Sequence, residues 1–376
     1  MRIQPPRFCG GQVEGVGRAE ADATDTLKRC LIFQCATEGR NLQTFKIQLE
    51  NFTLSRFSEI PGTNMTTPSL VTEWAKACHA DQLADYPPDN VSTQLIVILD
   101  QVLSSQTSPT ASASATANLI QSEHDITHGL SCLIGLFLFA AERNTSLNSL
   151  ELLVSYLVEL AKQPDAINEG PEPKVWDEGG GVMHEISPGA PIIVEGRQLW
   201  SGLPMLGWNI TEWFQGMSDR RKVYCFLVHN IKSNWKLGPE LWTHDLRSPA
   251  TSEVAAAKWK DLNKLIALIA LNPDAQAIPS LAGYINLSRI TLSMALEHSP
   301  NTRLGKNTAM HLPAAALWFS IASGELERMC EGGEQKMAAG DVWAERVRDN
   351  GSGDSGVVDM TRLQFWKERL AELQQM

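Results

Sequence analysis

The spacing of apolar positions along the chain predicts a succession of helices. Between residues 69 and 163 apolar side chains recur every three or four positions, the repeat of a helix with one buried face. Ser69–Ala84 sets Leu70, Trp74, Ala77 and Cys78 on one side and stops at Pro87-Pro88. Ser92–Gln106 follows, with Leu95, Ile96, Leu99 and Leu103 in register. A Ser/Thr/Ala-rich loop from Ser105 to Ala117 contains Pro109 and runs into a helix predicted to continue to about Arg143. From Leu130 to Ala141 that helix has almost no polar face, which places it at the centre of a bundle. Ser149–Gln163 gives another helix, through Leu150, Leu153, Leu157 and Leu160, ended by Pro164.

The rhythm then breaks. Asp165 to Pro191 carries six acids against one lysine, with Gly179-Gly-Gly and Pro171, Pro173 and Pro188 inside it. A stretch of this length without its own pattern reads as a lid or a disordered excursion. Helical spacing resumes at Trp208–Met217, and Val223–Ile231 is assigned as helix because its neighbours are helical. Thr251 or Ser252 caps a helix through Trp259, Leu262, Ile266 and Ile269 that ends at Asn272-Pro273. Ser280 caps another, through Leu281, Ile285, Leu292 and Leu296, stopped by Pro300. Pro313 fits the first turn of a helix holding Leu317, Trp318 and Ile321. Asp349 to Asp354 reads as a linker, and Asp359–Gln375 as a last helix docking through Leu363, Trp366, Leu370 and Leu373.

No strand and no internal repeat stand out. The expected fold is all-α, a multi-helical globular bundle with a long acidic Gly/Pro-rich loop near the middle. Residues 1–60 are expected to be poorly ordered or weakly helical. Residues 61–340 form a single helical domain, with 165–195 as a lid-like loop. Residues 341–376 supply a linker and the docking C-terminal helix.

Composition narrows the class. The net charge is −11 with scattered basic residues, which argues against a partner rich in phosphate, so no nucleic acid and no anionic membrane is expected. Seven dispersed cysteines without a C-x-x-C pair fit reduced thiols better than a disulfide framework or a zinc site. The N-terminus lacks the apolar core of a signal peptide. The apolar run of 12 residues from Leu130 to Ala141 is short for a bilayer span. A cytoplasmic protein is expected.

Unusual chemistry concentrates between Arg197 and Trp259, which holds six of the eleven tryptophans. Large aromatics bury much area and their indole N–H groups need partners, so Trp200, Trp208, Trp213 and Trp259 are candidate walls of a substrate pocket. Asn263, four residues after Trp259, could orient a polar substrate group or bond a neighbouring loop. Asn286, Arg289, Ser293 and Glu297 share one helical face, either as a solvated row or as a pocket wall with an arginine and an acid. Glu212 beside Trp213, and His229 after an apolar run, are candidate proton donors, because a carboxyl against indole rings favours its neutral form; the alternative for Glu212 is a rim glutamate on an exposed helix turn. Glu212, His229, Arg289 and Glu297 are therefore the candidate catalytic set. His124 and His128 have the i, i+4 spacing of a metal pair, but the sequence is not the His-Glu-x-x-His form and reads equally as the polar first half of a helix, so no metal is assigned. Nucleotide loops, flavin motifs and a nucleophile elbow are absent, so no cofactor is expected.

The segment Gln198-Leu-Trp-Ser-Gly-Leu-Pro-Met-Leu-Gly, then Lys258-Trp-Lys-Asp-Leu-Asn-Lys-Leu-Ile-Ala-Leu, then Tyr284 to Glu297 resembles a fungal all-helical family known only as a domain of unknown function. Its elements stand here as Trp200/Leu203/Pro204, Trp259/Leu262/Asn263 and Ala295/Leu296/Glu297. The likeness covers roughly Ser69 to Gly333, and most clearly the second half. It implies an all-α fold, a fungal source and occasional company with secondary-metabolite genes, and it transfers no catalytic residues. Two functions stay open on this basis. One is a cofactor-independent cyclase, isomerase or lyase that shapes a hydrophobic small molecule in an aromatic pocket and moves a proton. The other is a non-catalytic helical interaction or structural protein whose tryptophans are core. Homo-oligomerisation is compatible with either.

Overall fold

The computed structural model describes residues 70–83, 91–179, 182–214, 249–333, 335–351 and 354–375. The chain divides into two units, Met1–Thr67 and Pro68–Met376, and every described residue belongs to the second. The expectations for residues 1–60 and for a helix over Val223–Ile231 lie outside the described residues.

The fold is mostly α. Five helices open it: α1 (Glu73–Leu83), α2 (Val91–Leu103), α3 (Pro109–Ser122), α4 (Ile126–Arg143) and α5 (Leu147–Ala161). Ser108 and Ser146 cap α3 and α5 by accepting from the backbone N–H three residues on. The single helix expected to run through to Arg143 is broken at residues 123–125. There Asp125 turns its carboxylate back to the N–H of His128 at 3.0 Å and starts a new helix. Short polar side chains compete with the helical ladder in this way, and Asp125 wins locally. α4 is 18 residues long and, among the described residues, the one helix long and apolar enough to cross a membrane; 61% of it lies inside the fold, as in a core helix.

The middle of the chain is folded rather than a bare loop. β1 (Lys174–Gly179) pairs antiparallel with β2 (Val182–Ile186), and β3 (Ile193–Val194) with β4 (Arg197–Gln198). The second hairpin closes through Glu195 and Gly196, both with positive φ (52° and 70°), the two-residue turn whose twist matches paired strands. The first is anchored on the start of α4. The Val175 N–H donates to His124 O at 2.9 Å, the Asp177 N–H to Thr127 Oγ1 at 2.8 Å, and Lys174 Nζ to Glu123 O at 2.8 Å. These anchors fill the polar groups exposed by the α3/α4 break, which is why the acidic segment has a fixed place.

α6 (Leu206–Phe214) follows, and beyond the undescribed stretch come α7 (Pro249–Leu271), α8 (Pro273–Gln276), a 3-10 turn at Tyr284–Leu287 and α9 (Ser288–Leu296). Asn272 caps α8 as its position before Pro273 implies. α10 (Thr308–Glu331) begins one turn earlier than the proline signal suggests, so Pro313 lies inside it, and the helix kinks at Ala322. α11 (Asp341–Asp349) occupies a segment expected to be linker, and α12 (Met360–Gln374) is capped by Asp359. The stretch before α12 is tied down, with Met337 N–H donating to Gly356 O and Val358 N–H to Gln335 O, both at 2.9 Å.

One apolar core runs from Trp74 to Leu370. α7 is its axis: it packs on α10 on one side and on α4 and α5 on the other, while α9 and α12 close over α10.

Candidate functional site

Asn263 stands on α7 one turn after Trp259, fully buried. Its Nδ2 donates to Trp259 O at 2.8 Å. Its Oδ1 accepts from Thr291 Oγ1 of α9 at 2.6 Å and from Trp318 Nε1 of α10 at 2.8 Å. An amide has two donors and two acceptor sites, so three of the four are used to lock three helices together. A buried asparagine so engaged is a bolt.

Trp259, one of the predicted pocket walls, is also fully buried and meets His311 edge-on, with ring centroids 5.5 Å apart and planes at 86°. His311 belongs to α10. Neither ring nitrogen has a hydrogen-bond partner, and burial, reinforced by His298, pushes its pKa down to about 4. It is therefore a neutral imidazole at neutral pH.

Arg289, Ser293 and Glu297 do share a face of α9, as their spacing implies. Arg289 bonds the 3-10 turn before its helix and the segment between α10 and α11, Nε to Asn286 O and Nη1 to Gln335 Oε1, both at 3.1 Å. Burial and then the nearby Arg362 charge lower its pKa. Glu297 does not reach Arg289. It is fully buried and receives the guanidinium of Arg362 from α12 side-on: Nε donates to Oε1 at 2.7 Å and Nη2 to Oε2 at 2.8 Å. Trp366 Nε1 donates to Oε1 at 2.6 Å, and Ser293 Oγ and the Gly340 N–H donate to Oε2 at 3.1 and 2.9 Å. Arg362 spends its remaining donors on the carbonyls of Ala338, Met337, Ser355 and Val357. Trp343 and Trp366 stack within 5.9 and 5.6 Å of its charge. A buried pair persists only when its leftover hydrogen-bonding groups are satisfied, and here they are.

The remaining candidates separate. Trp200 is fully buried in the turn before α6, while Trp208 on α6 is 37% exposed. Glu212 and Trp213 lie on α6, their side chains outside the described residues, as is all of His229. Leu203 and Pro204 help close an apolar cavity against Leu130, Phe137, Tyr156 and Leu160, with a volume of about 20 Å³. That holds roughly one water, against about 300–1,000 Å³ for a ligand pocket. Trp200, Trp208 and Trp259 do not line it. His124 falls in the break before α4, so it shares no helical face with His128; among the described residues no three His, Cys, Asp or Glu side chains converge on one point.

Periodicity places Trp318 and Trp366 on the apolar faces of their helices but gives no sign of their hydrogen bonds to Asn263 and Glu297, nor of the roles of Arg362, Thr291 and His311. One local signal existed: Arg362 and Trp366 are four apart on α12, so an arginine shares the docking face with a tryptophan.

No curated protein and no solved structure matches the chain. A family model, described as "Protein of unknown function (DUF3632)", matches residues 135–370, from within α4 to the last turns of α12, and includes both the Asn263 and the Glu297–Arg362 nodes. With more than half of its length matched, the chain belongs to that family.

Proposed function

We propose that this chain is a non-catalytic helical interaction or structural protein, acting in the cytoplasm through its surface rather than through a buried reaction centre. The observation that carries the reading is the environment of Glu297. Its carboxylate is closed in by Arg362, Trp366, Ser293 and Gly340, which leaves no lone pair directed at a substrate. Asn263 is similarly committed to Thr291 and Trp318. A proton-transfer group has to face the reacting atom within hydrogen-bond reach, and neither does. Apolar side chains on the hairpin layer, Met183 and Val182 of β2 and Ile193 of β3, offer exposed area for a partner.

A second reading, a cofactor-independent cyclase or isomerase of fungal secondary metabolism, draws support from His311. An unpartnered neutral imidazole against Trp259 is the kind of perturbed base that acid–base catalysis uses. One experiment separates the two. The purified full chain is incubated with the hydrophobic intermediates made by enzymes encoded beside its gene, and products are followed by mass spectrometry. Absence of turnover, together with a stoichiometric partner crosslinked to the protein in its own cells, supports the interaction reading. Turnover that disappears in His311→Phe overturns it.

A further inference from the structure

The β1–β2 hairpin has an open edge, and the bonds on its other side fix which main-chain groups point there. The Val175 and Asp177 N–H groups donate to His124 O and Thr127 Oγ1, away from β2. Val175 stands opposite Glu185, and Asp177 opposite Met183. In an antiparallel pair, facing residues that exchange no bonds turn their N–H and C=O groups outward on both strands. Met183 and Glu185 therefore aim theirs at the open edge of β2, where no other described residue takes them. Residues two apart on a strand share a face, so the two side chains stand together on the outer one. Met183 is 51% exposed and Glu185 is exposed, while Ile186 on the opposite face is buried.

The edge is also acidic. Residues 165–191 hold six acids and one lysine, and that lysine, Lys174, is buried with Nζ on Glu123 O. Glu178 lies 2.8 Å from His184 Nε2, but among the described residues no cation pairs with Glu169, Glu172 or Glu185. Asn168 holds the turn at residues 169–172 beside the end of β2, its Nδ2 donating to Glu172 O at 3.0 Å and Ile186 O at 2.9 Å. Strand addition draws its affinity from main-chain bonds and its selectivity from alternate side chains. Resting on the interaction reading above, we propose that β2 takes an extended basic segment of a partner protein as an added antiparallel strand. Its main chain pairs with Met183 and Glu185, an apolar side chain lies across from Met183, and a lysine or arginine lies across from Glu185. A second copy of this chain fits poorly, because it sets net charge −11 and another row of hairpin acids against the first.

The test titrates the full chain into the fluorescein-labelled peptide Lys-Thr-Lys-Thr-Val-Thr, follows anisotropy, and measures hydrogen exchange of the β2 amides. Binding should saturate and slow exchange at Met183 and Glu185. Glu185→Lys turns an attractive cross-strand pair into a repulsive one and should weaken binding about tenfold. Met183→Ser should weaken it severalfold. Both side chains are exposed, so unfolding midpoints should stay at the wild-type value. Glu-Thr-Glu-Thr-Val-Thr should not bind, and neither should Lys-Thr-Lys-Thr-Pro-Thr, which keeps the charge but lacks the N–H facing Met183. Absence of binding, equal binding of the proline peptide or by Glu185→Lys, or unchanged exchange at Met183 and Glu185 overturns the proposal. So does a dimer that protects the two amides without peptide. None of these outcomes bears on the interaction reading itself, which turnover and cellular crosslinking decide.

Discussion

Arg362 meets Glu297 through two parallel N–H···O bonds, Nε to Oε1 at 2.7 Å and Nη2 to Oε2 at 2.8 Å, although 65 residues separate them and neither is exposed. This contact fastens the C-terminal helix α12 to the end of α9. Removal of one member strands the other charge away from water, which costs about 3–5 kcal/mol. Glu297→Leu and Arg362→Met should each lower stability by that order in urea denaturation. The double variant should lose less than the sum of the singles, since it leaves no isolated charge. Strictly additive losses would argue against a coupled pair.

Asn263 gives a second prediction, on three helices at once. Asn263→Leu takes the acceptor from both Thr291 Oγ1 and Trp318 Nε1. Two buried donors without partners should cost about 2–5 kcal/mol. Thr291→Val removes one donor and leaves Trp318 on the same oxygen, so its loss should be only about 1 kcal/mol. Equal losses in the two variants would mean that Asn263 is not the shared acceptor.

How far these nodes were legible in the sequence follows from the range of each interaction. The a/d stripe of α12 was readable because Leu363, Trp366 and Leu370 repeat locally, and all three are buried. Trp259 and Asn263 were paired correctly as neighbours one turn apart. The Glu297–Arg362 contact was not readable, since periodicity says nothing of partners 65 residues away. The same spacing of Arg289, Ser293 and Glu297 fits a solvated row, a pocket wall or a structural node, and only the approach of α12 selects the last. The hairpins escaped for another reason. Glu195 adopts a positive φ that glutamate seldom takes, so Glu195-Gly196 does not advertise the turn it makes. His311 carries no sequence signal, because its character comes from burial against Trp259.

His311 makes stability depend on pH in a defined direction. Its pKa falls from 6.5 to about 4 on folding, so between those values the unfolded chain binds a proton that the folded chain refuses. Stability is then full above about pH 6.5, declines as pH falls, and levels off below about 4, with a total loss of about 3 kcal/mol. Other groups titrate in the same window, so the informative quantity is the difference between wild type and His311→Phe across pH 4 to 7. The wild type should show the steeper acid loss. Parallel curves would place the His311 ring in contact with water.

Two glycines should respond oppositely to the same substitution. Gly340 has an ordinary φ of −72°, so its need for glycine is steric rather than conformational. An added methyl would stand 2.5 Å from Cβ and 2.7 Å from the carbonyl carbon of Glu297, against backbone that also receives the Val342 N–H. Gly340→Ala should therefore cost about 3 kcal/mol or more, the upper end for overpacking, and displace the N–H that donates to Glu297 Oε2. Gly135 lies within α4 with nothing within 4 Å of an added methyl. Alanine there restricts the unfolded chain and favours helix, so Gly135→Ala should stabilise by about 0.5–1 kcal/mol. Urea unfolding midpoints of the two variants should thus move in opposite directions from wild type. A neutral Gly340→Ala would mean that the chain entering α11 can withdraw from Glu297, and with it one of the five donors that hold the carboxylate in place.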